Sequence, residues 1–518
     1  MLPSLNLPAS LLEILSVARP CFTAPGFVTF CGLLAGLAGR VRRRTVVGML
    51  LGGCLQYAWP HDRAHYFFAR ARWELDRLGL AVAQLVVLLL VPPGADLRIA
   101  VDDSVFRRSG RKVHGAGWQH DGSSPAKNKL SYGNCFVAVA ILVRLPFCSR
   151  EVGLPVLARL HLPGKGAGPG KVETSAALVR QLALAFPARL VHVVADAAYH
   201  GPALRTLPEN VTWTCRIPRN AVLYALAPPR TGKRGRPRTK GDRLGTPDDI
   251  AAAADWARAT VTAYGRQETR HVAEVTCLWY GSWHTRTVRL ILSRDERTAS
   301  GYDLALVTTD LAASPAALVT RYAARWGIEQ AFADARNVLG AGEARNRVRR
   351  AVERTVPFAL LAHTLIIIWY ARYGHDPADV DDRRAAQPWY RTKTEPAFED
   401  MLIKLRRTMI AARFSPDRPG RGCRITTEYG ERSGIWAHRL LYGCLSPGRG
   451  VSAAGSGGAS LASCSADGAR ARSFASVIVM VSAGRAWMIL SAAGTVGLPS
   501  WQGQAARGAG SRAMTGPD

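Results

Sequence analysis

The sequence predicts an α/β protein with a helical start and a β-rich insertion. Three observations carry this: apolar runs of strand length that stop at acids, an amphipathic helix between them, and a late helix with a stripe of charged side chains. The first ninety or so residues read as mostly helical, with residues 80–91 as a buried helix. Arg40, Arg42, Arg43 and Arg44 precede Thr45 and an apolar stretch, so a capped helix with basic residues at its start suits docking on phosphates. A solvated charge run beside a core helix is the competing reading.

Residues 97–101 read as a short strand ending in Asp102-Asp103-Ser104, followed by the basic residues Arg107, Arg108, Arg111 and Lys112. Apolar runs follow at about 135–145 and 156–162, then an amphipathic helix at about 173–186. Residues 190–194 form a second buried-strand candidate, which ends at Asp196 before Tyr199, His200 and Gly201. The interval to the late helix is longer than a crossover needs. Its second half alternates in a strand-like way at 261–264, 271–280, 287–292 and 304–308, which predicts a small β-rich subdomain. Trp279 and Trp283 lie there as candidates for stacking on a base, with packing the more usual role of a strand tryptophan. Before it, Arg234, Arg236 and Arg238 lie in a basic loop whose composition suits phosphate or minor-groove contact.

Ser314 suits a helix cap, Pro315 the first turn and Gly340 the end, so one continuous helix of about six turns is expected. On it Tyr322, Arg325, Glu329 and Arg336 follow at steps of three, four and seven and share a face. The guanidiniums suit phosphate oxygens, and the carboxylate suits a hard divalent cation. Ordinary surface ion pairing along a helix is the plainer alternative.

The stripe resembles the Tyr-Arg-Glu-Lys signature of cut-and-paste insertion-sequence transposases of the DDE superfamily, with Arg336 in place of lysine. The Asp-Asp-Ser step and the Val-Ala-Asp-Ala-Ala-Tyr-His-Gly segment resemble that family's first and second acids. The resemblance implies a ribonuclease-H-like catalytic core in which the first and fourth strands lie side by side. It also implies Asp103, Asp196 and Glu329 as catalytic metal ligands, with Asp102 the alternative to Asp103. Tyr322, Arg325 and Arg336 would hold phosphate, and two Mg²⁺ ions, for which Mn²⁺ substitutes, would serve phosphodiester chemistry. The implied substrate is double-stranded DNA, both terminal inverted repeats and target, bound by a dimer. A stand-alone metal-dependent nuclease and an inactive DNA-binding regulator are the alternatives.

The expected layout is a helical end-binding domain at 1–93, the core at 94–215 and 313–374, the insertion at 216–312, a helical region at 375–440 and a low-complexity, disordered tail at 441–518. Arg345, Arg347, Arg349 and Arg350 and a basic helix at about 397–414 are suited to tracking a DNA backbone. From about 451 the composition turns to Ala, Gly and Ser with no lysine, which also fits a frameshifted or read-through end.

A formal charge of +30 and a pI near 10.5 call for a polyanionic partner. The ten cysteines include no Cys-x-x-Cys pair, so neither a zinc ribbon nor a disulfide framework is expected. His61 and His65 are read as structural or DNA-facing, and His114, His120 and His200 as packing or surface residues. The apolar runs at 80–91 and 356–370 are read as buried helices rather than membrane spans. No secretory leader is recognised, and a cytoplasmic protein is expected.

Overall fold

The structure, a computed structural model, describes residues 7–122, 124, 127–164, 166–229 and 236–414. The expected tail therefore lies outside the described residues, as does Arg234. The N-terminal part is helical: α1 (Ala9–Ser16), α2 (Ala24–Gly39), α3 (Val46–Gly52), α4 (His61–Ala69) and α5 (Leu75–Leu90). Thr23 caps α2 and Thr45 caps α3, each hydroxyl accepting a backbone N–H from three residues on. Part of the basic run before Thr45 is tied inward, since the Arg44 backbone N–H donates to Glu343 Oε2 at 2.6 Å.

Next come β1 (Leu97–Arg107), β2 (Gly117–His120), β3 (Leu130–Arg144), β4 (Glu151–His161), α6 (Lys171–Ala185), β5 (Val191–Ala195) and β6 (Val211–Arg216). The insertion supplies β7 (Leu223–Tyr224), β8 (Arg243–Gly245), α7 (Pro247–Ala252), β9 (Ala257–Ala263), β10 (Arg266–Cys277), α8 (Tyr280–Trp283), β11 (Val288–Asp295) and β12 (Leu304–Thr308). The described chain ends with α9 (Pro315–Ala323), α10 (Trp326–Asn337), α11 (Arg349–Trp369), α12 (Ala378–Ala386) and α13 (Phe398–Phe414).

Among the described residues one large sheet runs β2-β3-β1-β5-β6-β12-β11-β10-β9, with β4 on the outer edge of β3. β3 is antiparallel to both β1 and β4, while β5 is parallel to β1 and to β6. This is the ribonuclease-H-like arrangement, with the strand that ends at Asp196 beside the one that carries Asp102 and Asp103. Of the insertion strands, β7 and β8 form a small two-stranded sheet of their own, whereas β9–β12 join the large sheet. β12 pairs antiparallel with β6, Val307 opposite Cys215, so the insertion continues the core sheet past an edge that would otherwise be open.

Helices cover both faces of the core sheet. On one, Ile328, Phe332 and Ala335 of α10 pack with Ala100, Phe106, Phe136, Ala138 and Val194. On the other, Leu178 and Val179 of α6 join Ile99, Val101, Val137 and Val139. The N-terminal helices pack on α11: Phe358 meets Phe30, Phe67 and Phe68 edge-on, and buried Arg354 donates to the carbonyls of Phe68 and Ala71, both at 3.1 Å. By length and composition alone the helical stretch that begins with α11 would cross a membrane, but 94% of its apolar window is buried inside the protein.

The start of α10 approaches β4 backbone to backbone. A Cβ on Gly153 of β4 would lie 2.6 Å from the Gly327 carbonyl, and one on Gly327 would lie 2.9 Å from the Gly153 nitrogen. Gly327→Ala should therefore push α10 off β4 and cost about 1–3 kcal/mol in urea unfolding. Gly122→Ala, where a Cβ meets open space, should leave stability unchanged.

Candidate active site

β1 does not stop before its acids but runs through them, so Asp102 and Asp103 leave opposite faces of the sheet. Asp102 takes the α10 face. Its Oδ2 accepts from Arg325 Nη1 at 2.7 Å, and Arg325 Nη2 donates to Glu329 Oε1 one turn further along α10. Val101 lies opposite Ala195 in the parallel β1–β5 pair, which puts Asp196 level with Asp102 and on the same side. The Asp196 charge acts on both Arg325 and Tyr322. Asp102, Asp196, Glu329 and Tyr322 thus converge on one guanidinium.

The electrostatics follow from that convergence. Burial drives the Asp102 carboxyl up to about 7, Arg325 pulls it down, and Asp103 and Glu329 add to the rise. Burial opposes the charge on Arg325, but Asp102, Tyr322, Glu329 and Asp196 together outweigh it and leave its pKa raised. Burial raises the Tyr322 phenol despite the neighbouring Arg325.

Asp103 belongs to a different group on the α6 face. Its Oδ1 accepts from the Tyr199 hydroxyl at 2.7 Å and its Oδ2 from Lys171 Nζ at 2.7 Å, with Cys135 Sγ at 3.2 Å. Burial, then the Asp103 charge, holds the Tyr199 phenol well above its ordinary value. Between the two candidates for the first acid, the geometry therefore sets Asp102 beside Asp196 and Glu329 and sets Asp103 apart. Lys171 and Tyr199 carried no role in the sequence reading. The available signal was that neighbouring acids on a continuous strand serve opposite faces, and each face needs its own countercharge.

The late helix is not continuous. The chain bends between α9 and α10, where Arg325, Gly327 and Ile328 donate to carbonyls only three residues back. Tyr322 and Arg325 flank that bend and still face the acids. Arg336 lies two turns beyond Glu329 and outside the carboxylate group. Burial lowers its pKa, and its charged neighbours are Asp121 and Arg107. Arg236 is exposed, and Arg238 pairs with Asp242 at 2.8 Å on the surface. Trp279 and Trp283 are packing residues, only 6% and 2% exposed, which removes them as stacking surfaces. His200 lies against the Trp279 ring, centroids 4.6 Å apart.

The three acids supply the hard oxygen donors that a divalent cation of the magnesium type takes. Among the described residues no three acidic, histidine or cysteine side chains gather tightly enough to form a ready cage. Arg325 accounts for this, because its guanidinium stands among the carboxylates and balances their charge.

A family model described as DDE superfamily endonuclease matches residues 20–276. The match includes β1 and β5 with their acids and ends before α10, so Glu329 rests on geometry and on its helix motif. No curated protein matches the chain.

Because the Asp102 carboxyl is raised in the folded chain, the fold holds that proton more tightly than the unfolded chain between about pH 4 and pH 7. Stability without divalent cations should accordingly fall as pH rises through that window. Urea titrations across pH should show the fall in the wild type and a flatter profile in Asp102→Asn.

Proposed function

We propose, for a chain that belongs to the DDE superfamily of endonucleases, that it is a DNA transposase: it cuts the ends of its own element and joins the freed 3′-hydroxyls to target DNA. The observation that carries this reading is the convergence of Asp102, Asp196 and Glu329 from two adjacent parallel strands and a helix onto Arg325. Such a set suits phosphodiester chemistry, because the carboxylates hold cations and the guanidinium binds the phosphate that displaces it.

In this reading Asp102, Asp196 and Glu329 would hold the divalent ions, expected as two Mg²⁺ or Mn²⁺. Those ions, when bound, supply the charge that eases deprotonation of the attacking hydroxyl and steadies the leaving oxygen. The chain's own residues do the rest. Arg325 exchanges its carboxylate partners for the scissile phosphate and orients it with a forked contact. Tyr322 stays beside Arg325 and limits the directions that its guanidinium takes. Arg336 lies farther along α10 and binds a phosphate outside the reacting centre. In cleavage, water oxygen bonds to phosphorus and the bond to the 3′ oxygen breaks, leaving a 3′-hydroxyl. In joining, that hydroxyl attacks a target phosphodiester and frees a target 3′-hydroxyl, so the bond count is unchanged.

Asp103 has a different part. Held by Lys171 and Tyr199, it anchors the start of α6 and the turn after Asp196, whose carbonyl accepts the Tyr199 N–H at 3.0 Å. Two copies on DNA follow from the need to pair two ends.

The test incubates wild type and Glu329→Gln with Mg²⁺ or Mn²⁺ on a plasmid that carries the coding region with its native flanks, and sequences new junctions. Metal-dependent junctions that join fixed ends to new sites, made by the wild type alone, are expected. Loss of the carboxylate should reduce cleavage by about 10³-fold or more, as removal of one essential catalytic group does, while DNA affinity survives. Cuts without joined products would reduce the protein to a nuclease, and equal behaviour of the two proteins would overturn the catalytic reading.

A further inference from the structure

Along the β2–β3 hairpin the sheet outruns its cover. Even-numbered residues of β3 face α10, as Ala138 opposite Asp102 and Asn134 opposite Phe106 show. The segment after α10 still covers Phe106, since a Cβ on Gly342 would lie 3.3 Å from the Phe106 Cβ. Two residues further along β3, Tyr132 is only half-buried, and it pairs with Trp118 of β2. The two rings meet edge to face with centroids 5.7 Å apart, and Trp118 is 69% exposed. His120 and Leu130, the next pair on the same face, are exposed as well, whereas Gln119 and Ser131 on the reverse face are buried. A strand that buries its polar residues and presents its tryptophan to solvent inverts the usual pattern.

The surroundings say what would cover these rings. Residues 105–133 contain six lysines and arginines against one acid, Asp121, and Arg107, Arg111, Lys112, Lys127 and Lys129 are exposed. Six residues of β3 separate the level of Tyr132 from that of Asp102. At about 3.3 Å per residue the aromatic pair stands roughly 20 Å from the acids, on their side of the sheet. Arg336, carried by α10 and within the field of Arg107, is placed to neutralise a phosphate between the two.

We propose that Trp118 and Tyr132 form a platform on which an unpaired base of the substrate DNA stacks, roughly 20 Å from the acids. The proposal rests on the DNA reading above and adds a strand-state preference to it. Paired bases inside a duplex already have both ring faces stacked, so an exposed tryptophan face discriminates in favour of single-stranded or opened DNA. The cations hold the backbone of either form, and the rings add a contact that only the opened form makes.

The test measures binding of the full chain, as wild type, Trp118→Ala and Trp118→Phe, to a labelled oligothymidine and to a mixed-sequence duplex of the same length. Trp118→Ala should weaken oligothymidine binding about tenfold and leave duplex binding within about twofold, since stacking is lost and phosphate contacts are kept. Trp118→Phe should recover most of the loss, and the salt slopes should coincide because no cation is removed. Unchanged oligothymidine binding by Trp118→Ala, or equal losses on both DNAs, would overturn the platform while leaving the DNA reading intact. If the wild type binds neither DNA, that reading fails and the platform with it.

Discussion

One guanidinium organises this molecule. Arg325 bonds to Asp102 on the first core strand and to Glu329 on its own helix, within the field of Asp196 at the end of the neighbouring strand. Three clustered carboxylates would repel one another, and Asp102 is buried enough for its carboxyl to rise to about 7 even beside Arg325. The arginine therefore acts as an internal countercharge that holds the acids in register before any substrate arrives. In the proposed function it is also the group to be exchanged, because an incoming phosphate would offer it a new anion while cations would offer the acids a new countercharge. The close backbone approach of Gly153 and Gly327 fixes α10, and with it the distance across which Arg325 reaches.

The alternation of β1 divides the work of its paired acids. Asp102 faces the arginine, and Asp103 faces α6, where Lys171, Tyr199 and Cys135 donate to it. Tyr199 is three residues beyond Asp196, so the bond from its hydroxyl ties the turn after the second acid to the strand that bears the first. Neutralising Asp103 on the reverse face also keeps a second negative charge from adding fully to the repulsion around Asp102.

Much of this was legible in the sequence. Residues 97–101 and 190–194 read as strands and residues 173–186 as a helix, because period and length fix those elements locally, and the family resemblance implied their ribonuclease-H-like arrangement. The extension of β1 through two acids was not legible, since Asp is a poor strand former and only pairing with β3 carries the strand on. That one error concealed which acid faces which side. The helix break at Arg325 was equally hidden, because no proline or interior glycine run marks it and the close contact with β4 is tertiary. The stacking candidates in the insertion, Trp279 and Trp283, are buried, and burial cannot be read from alternation in a strand edged by a short helix. The insertion strands were recognised, but their continuity with the core sheet depends on β12 finding β6, a partner some ninety residues away.

The most direct test of the account is a thiol in place of each neighbouring acid. DNA cleavage by Asp102→Cys and Asp103→Cys would be measured with Mg²⁺ and again with Mn²⁺ or Cd²⁺, which accept a soft sulfur ligand where Mg²⁺ does not. Asp102→Cys is expected to lose cleavage with Mg²⁺ and to regain part of it with the softer ions, while Asp103→Cys shows no such rescue. Rescue at position 103 and none at position 102 would contradict that expectation.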